Sequence, residues 1–320
     1  MKRVRSTCPY CGVGCGLIAE VEGGRLSAVS GDPLHPVNRG AACVKPLHLP
    51  AAVHARDRAT APLVRGSREE RWRPATWRSA IALLARRLKA LAAEHGPDAV
   101  AFYISGQLLT EDYYAVNKLA KGFLGTNNVD SNSRLCMSSA VAGYRESLGS
   151  DGPPASYADI DQADCLLLLG TNTAACHPIL WSRIRRRQAE GAAVIVVDPR
   201  RTDTAAAADV HLPVRPGSDL PLLNAMLAVL ARDGLLDERF LARRTEGLEE
   251  ALAAAAEWSP ERAAEACGVS AEAIVEAARR FGQAKRAMES VLATPEGVLR
   301  LVGLASALAV VVLIWVVRNV

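Results

Sequence analysis

Three thiols crowd into eight residues near the start of this chain. Cys8, Cys11 and Cys15 are spaced C-x2-C-x3-C within CPYCGVGCGL, and Cys43 follows in AACVKP. A cubane [4Fe–4S] cluster takes one thiolate per iron, and a short loop of three closed by a distant fourth supplies them. Gly12, Gly14 and Gly16 let such a loop wrap tightly and aim backbone N–H groups at sulfur, which tunes the potential. The chemistry is electron transfer. Two other readings use the same residues. A zinc site would take Cys43, His35 or His48 to complete its donor set. Disulfides are the third reading. MKRVRSTC runs into the first cysteine without an apolar secretory stretch, and a reducing compartment disfavours disulfides.

A second group of polar residues sits where a nucleotide could bind. Thr171 and Asn172 end ADCLLLLGTN (163–172), Asp198 and Arg200 end AAVIVVDPRRT (192–202), and Asp219 follows a Pro-Gly turn. A carboxylate there can accept from ribose or guanine, and an arginine can fork onto phosphate. Ordinary turn chemistry uses the same residue types and stands as the alternative. Neither G-x-G-x-x-G nor a P-loop occurs, so NAD or ATP held in the usual way is not indicated. The net charge of +4 is mild, and the arginine clusters at 183–187, 200–201 and 243–244 lack interleaved aromatics. Nucleic acid is therefore not expected as a partner. Cys136, Cys165, Cys176 and Cys267 are scattered, the usual pattern of small buried residues in a reduced protein.

The elements that must position these residues are legible in outline. The 320 residues suffice for two or three domains. GLIAEVEGGRLSAVSGD reads as a hairpin through Gly23-Gly24. Residues 62–74 are polar and read as a connector. Helical periodicity covers 76–95, with Thr76 as N-cap, and 111–125, ended by Gly125. The run 98–105 reads as a buried strand. From 163 on, continuous apolar strands alternate with helices at 177–191 and within 210–234. That pattern predicts an α/β fold with a parallel sheet covered on both faces, whose ligands bind beyond the carboxyl ends of the strands.

Taken in order, CPYCGVGC, CVKP, NSRLCMSSAVAGY, LLLLGTN, VVDPRRT and RPGSDLPLL resemble the N-terminal part of a molybdopterin oxidoreductase catalytic subunit. Prokaryotic nitrate reductases of the assimilatory, cytoplasmic type are the nearest match, over about residues 4–285. The resemblance implies a small iron–sulfur domain (1–57), a first α/β segment (58–145) and an α/β domain for the guanine dinucleotide (146–286). It implies that Cys8, Cys11, Cys15 and Cys43 ligate a [4Fe–4S] cluster, and that Lys45 lies between cluster and pterin, where a cation stabilises added negative charge. Cys136 matches the molybdenum ligand, expected on a loop between helices, and a soft thiolate suits that metal. Arg134 is placed to attract the substrate anion. Asn172, Asp198, Arg200 and Asp219 match positions near a bis(molybdopterin guanine dinucleotide) cofactor, with His177 beside them.

Formate dehydrogenases of the same superfamily also resemble the chain. They carry histidine directly after the metal-binding residue, where it assists proton removal. Here Met137 stands in that position and cannot exchange a proton, which favours nitrate, or a similar small anion, as substrate. Electrons would come from a ferredoxin, a flavodoxin or a reductase subunit. Family members are longer, and the resemblance stops near Ala284–Arg286. The chain is therefore expected to be a truncated enzyme. Leu301 to Val317 is uncharged and flanked by Arg300 and Arg318. This tail resembles short bacterial membrane proteins and reads as a transmembrane helix over 298–318, against a buried soluble helix as alternative. The flanking charges would keep the large domain cytoplasmic, anchored to the inner membrane. A formate dehydrogenase-like enzyme and a non-catalytic fragment fused to a membrane tail are the competing functions.

Overall fold

The structure is a computed structural model and describes residues 1–151 and 155–284. The expected apolar helix at 298–318 lies outside the described residues. Among the described residues no helix is long and apolar enough to cross a membrane. The chain divides into two compact units. One comprises Met1–Leu34 with Val44–Ser138, the other His35–Cys43 with the residues from Ser139 onward.

The first unit opens with β1 (Lys2–Thr7), β2 (Gly16–Glu22) and β3 (Arg25–Gly31), an antiparallel sheet in that order. Gly23 and Gly24 both have positive φ, 56° and 78°, as the expected hairpin turn requires. Two short helices follow, α1 (Val44–Leu47) and α2 (Leu49–Val53). The expected connector contains a small hairpin instead, β4 (Leu63–Val64) against β5 (Arg73–Pro74), with Arg73 paired to Glu70 and Arg65 over the Trp72 ring in its loop. The helix α3 (Trp77–His95) begins as read, with the Thr76 hydroxyl accepting from the Ser79 N–H at 3.2 Å. The run at 98–105 is a shorter strand, β6 (Phe102–Ile104), preceded by a 3-10 turn and only half-buried. Then α4 (Thr110–Asn117) continues as a π-helical stretch to Leu124 and stops at Gly125, whose φ of 79° is left-handed. A parallel strand, β7 (Val129–Ser131), pairs with β6 and leads into α5 (Ser133–Leu148).

The second unit carries the expected α/β pattern. After α6 (Tyr157–Ile160) come β8 (Cys165–Leu169), α7 (Thr173–Cys176), α8 (Pro178–Ala189), β9 (Ala193–Val197), α9 (Asp203–Ala206), β10 (Val210–Leu212) and α10 (Asp219–Arg232). The sheet is parallel with order β10-β9-β8. Its central strand is apolar throughout because both faces are covered. Ile195 and Val197 join the larger core with α10. Val194 and Val196 point the other way, to Ile184 of α8 and Ala205 of α9. Beyond β10, α10 is buried along most of its length against α12 (Leu248–Ala256), α13 (Pro260–Cys267) and α14 (Ala271–Gly282), with α11 (Glu238–Arg244) preceding them.

Candidate functional site

The cysteine loop joins β1 to β2. The Cys8 N–H donates to the Cys15 carbonyl at 2.9 Å and closes the loop at its base. Gly12 and Gly14 have φ of 72° and 82°, and a Cβ at either would meet nothing. Backbone dihedral, not space, therefore demands glycine there. Left-handed residues in tight loops are those that turn N–H groups towards an anion. Cys8 and Cys11 are half-buried and Cys15 is buried, as is Val13 between them. Cys43 is half-buried at the end of the segment that precedes α1. All eight cysteines are thiols and none is half of a disulfide. A zinc ion would gather its donors within about 2.3 Å of one point. Among the described residues, no three His, Cys, Asp or Glu side chains stand that way. The donor set of four thiols fits a [4Fe–4S] group in kind, since each iron takes its own thiolate.

Lys45 is half-buried in α1. Cys136 does not lie on a loop, as the sequence suggested, but in the first turn of α5, where it is exposed. The Asn132 carbonyl accepts from the N–H groups of Leu135 (3.1 Å) and Cys136 (3.3 Å), which starts a helix where a loop was expected. The Asn132 side chain in turn accepts from the Gly106 N–H at 2.7 Å. A Cβ on Gly106 would stand 2.8 Å from the Ser133 hydroxyl, so glycine permits this close approach. Met137 is exposed beside Cys136. Arg134 is exposed in the first turn of α5. Its Nε donates to Asp130 Oδ2 at 3.0 Å, and that bond holds the Asp130 carboxyl below its ordinary range.

At the carboxyl ends of β8 and β9 a polar floor forms. The Asn172 amide oxygen accepts from the Thr204 hydroxyl at 2.9 Å, and Thr204 accepts from the Ala174 N–H at 2.9 Å. Asp198 is buried. Its Oδ1 accepts the Arg200 N–H at 2.8 Å, while the Arg200 guanidinium is exposed and 3.9 Å away. His211 Nε2 stands 2.9 Å from the Asp198 carbonyl. The structure thus brings together Asn172 with Thr204, and Asp198 with Arg200. Asp219 is exposed in the first turn of α10, and His177 is half-buried between α7 and α8.

Sequence reasoning missed Thr204, which is fully buried, and His211. Thr202 as the N-cap of α9 was the available signal, because it places Thr204 two residues into a helix facing the sheet. It weighed the arginines at 183–187 only against nucleic-acid binding, whereas Arg183 and Arg187 are buried one turn apart on the inner face of α8. Two of the scattered cysteines are core residues as expected, and burial pushes the Cys165 thiol up to about 11 and raises that of Cys267. Cys136 and Cys176 are exposed instead.

Residues 1–54 match the molybdopterin oxidoreductase Fe4S4 domain, and residues 58–299 match the molybdopterin oxidoreductase domain. A nitrate reductase from Synechocystis sp. is 41% identical over 290 residues, covering 88% of this chain and 40% of that protein. The alpha subunit of an F420-dependent formate dehydrogenase from Methanocaldococcus jannaschii is 39% identical, covering 89% of this chain and 42% of that one. Among solved structures, acetylene hydratase from Pelobacter acetylenicus superposes with a TM-score of 0.77 at 27% identity, over 88% of this chain and 38% of its own. The chain spans about two fifths of the length of these curated relatives. The two matched segments correspond to two cofactors, a [4Fe–4S] cluster and molybdenum held by molybdopterin. On these matches and this fold, the chain belongs to the molybdopterin oxidoreductase family.

Proposed function

We propose that this chain is the cofactor-binding part of a nitrate reductase, in which nitrate takes two electrons and two protons to give nitrite and water. The observation that carries the choice of substrate is Met137, directly after Cys136 and exposed on the same helical turn. A thioether cannot exchange the proton that formate oxidation must give up. When bound, molybdenum supplies the transfer of an oxygen atom from the substrate.

The chain's own residues hold and orient. Cys8, Cys11, Cys15 and Cys43 are the proposed cluster ligands, on a loop whose base is fixed by the Cys8–Cys15 backbone bond. Lys45 offsets the negative charge of each arriving electron. The Cys136 thiolate is the proposed protein ligand to molybdenum, presented by the start of α5. Asp198, Arg200, Asn172 and Asp219 are the proposed contacts of a guanine dinucleotide, with His177 alongside. The Asn172 oxygen is already taken by Thr204, so its amide NH2 faces the ligand in this reading. We divide the chain for these roles at 1–57, 58–145 and 146–286. A ferredoxin, a flavodoxin or a reductase subunit is the proposed electron donor.

The second reading, formate oxidation, rests on the 39% identity to the methanogen formate dehydrogenase subunit. Anaerobic purification, metal analysis and two viologen-linked assays separate the readings. Nitrite formed at the expense of reduced viologen supports nitrate reduction. Formate-dependent viologen reduction without nitrite formation would replace it. Iron without molybdenum, and neither activity, would make the chain an electron-carrying fragment.

A further inference from the structure

The segment that ends on Cys43 has no helix or strand of its own. Residues His35–Cys43 group with the second unit rather than with the loop that bears the other three thiols. An irregular segment must find its backbone partners elsewhere. Here one buried side chain on α8 supplies two of them. Arg183 Nη2 donates to the carbonyls of Pro36 (2.8 Å) and Val37 (2.6 Å). Its Nη1 donates to the Tyr157 carbonyl (3.2 Å) and to Asp161 Oδ2 (3.1 Å). Arg183 is 6% exposed, and its guanidinium lies 5.7 Å from the Tyr157 ring centre.

Asp161 completes the anchor from the other side. It also accepts from Arg39 of the segment at 3.3 Å and from Arg186 at 2.9 Å. Within the segment, the buried Asn38 amide donates to the Ala41 carbonyl at 2.7 Å, and the Ala41 N–H returns to the Asn38 carbonyl at 2.8 Å. Arg39 sits at φ 45°, the left-handed region, and is the one described non-glycine residue there. Backbone in that region persists where its surroundings over-determine it. So the chain is gripped at 36–37, pinned at 39 and tied at 38–41, two residues before Cys43.

We propose that Arg183, aligned by Asp161, is the positioning residue for the Cys43 thiol, fixing the fourth ligand of the iron–sulfur cluster. The proposal rests on the reading that Cys43 is a cluster ligand. Its consequence concerns the iron that Cys43 holds. If the segment can shift, that iron becomes the labile corner.

The test uses the full chain, purified anaerobically, with Cys43→Ser, Arg183→Lys, Arg39→Ala and the control Arg185→Ala. Arg185 is exposed on the same helix and does not touch the segment. Iron and sulfide are counted, and paramagnetic resonance follows the cluster during ferricyanide oxidation. Ferricyanide takes one electron and becomes ferrocyanide; the fourth iron leaves as Fe2+, and the three-iron cluster keeps all the sulfide. Arg183→Lys and Arg39→Ala are expected to form the three-iron signal about tenfold faster than the wild type, the lower end of what outer partners of metal ligands contribute. Cys43→Ser should assemble as the three-iron form, and Arg185→Ala should match the wild type. Circular dichroism confirms folding, and the exposed Arg39→Ala variant serves if Arg183→Lys unfolds. Folded variants that lose iron at the wild-type rate would overturn the positioning role. A wild type without a four-iron cluster, or a Cys43→Ser variant that keeps all four irons, would overturn the ligand reading beneath it.

Discussion

At the scale of single residues, chemistry and support were unequally legible. Thiols announce themselves by spacing, because the backbone between Cys8 and Cys15 has little freedom beyond that loop. The prediction is correspondingly sharp. Cys11→Ser should reduce bound iron from about four per chain to three or fewer, one thiolate being needed per iron. Iron and sulfide analysis with the resonance spectrum of the dithionite-reduced protein checks it, and full iron content would remove Cys11 from the ligand set. Support from arginine was hidden. A run such as RIRRR has the composition of a solvated face, and only the four-residue spacing of Arg183 and Arg187, beside Ile179 and Ile184, marks the buried ones. Another such support has a pH signature. Asp233 accepts from Arg232 and Arg279, each at 2.7 Å, and these bonds pull its carboxyl from 3.8 down to about 2. A depressed carboxyl contributes stability that is full above its unfolded value and is lost as pH falls through the folded one. The wild type should therefore lose thermal stability between about pH 4 and pH 2 more steeply than Asp233→Asn. Parallel slopes in melting curves across that window would refute the linkage.

Among the elements, those with a strong period or a clear cap were readable. Thr76, Gly125 and the Gly23-Gly24 turn each set a boundary by a local mechanism, and the structure has all three. The apolar runs of β8 and β9 were readable because a strand covered on both faces needs no polar alternation. β1 was not, since all six of its residues are exposed and backbone pairing with β2 is what makes it a strand. The helix α5 was also missed, because Asn132 initiates it through its main-chain carbonyl inside a sequence that reads as a loop. A close approach between elements makes an unusual prediction. Gly282 ends α14, and a Cβ there would collide with Leu230 of α10 and stand 2.9 Å from Leu235 Cβ. Replacing a helical glycine with alanine ordinarily stabilises by up to about 1 kcal/mol. Here Gly282→Ala should destabilise by about 1–3 kcal/mol, the usual range for forcing extra volume into a packed core. Urea denaturation measures it, and a stabilised variant would show that the α10–α14 contact yields freely.

For the whole molecule, the two units differ in how much they bury. The second unit holds the larger core, with α10 and β9 almost wholly enclosed. In the first unit α3 has no buried residue, and Trp77, Ile81 and Leu84 form an apolar stripe 58–68% exposed. Its parallel sheet has two short strands, β6 and β7, and a two-stranded pairing is marginal in water. Local stability follows buried apolar contact, so opening free energies should differ across the chain. Amides of α3, β6 and α4 should exchange orders of magnitude faster than those of β9 and α10. Denaturant should release the first set in a separate, earlier step. Cofactor binding to the folded chain would raise the midpoint of whichever step contains its ligands, by mass action. Reconstituting the cluster should therefore move the step that frees the cysteine loop. Uniform protection with one cooperative transition, unmoved by iron and sulfide, would contradict a molecule built from one well-filled unit and one sparsely filled one.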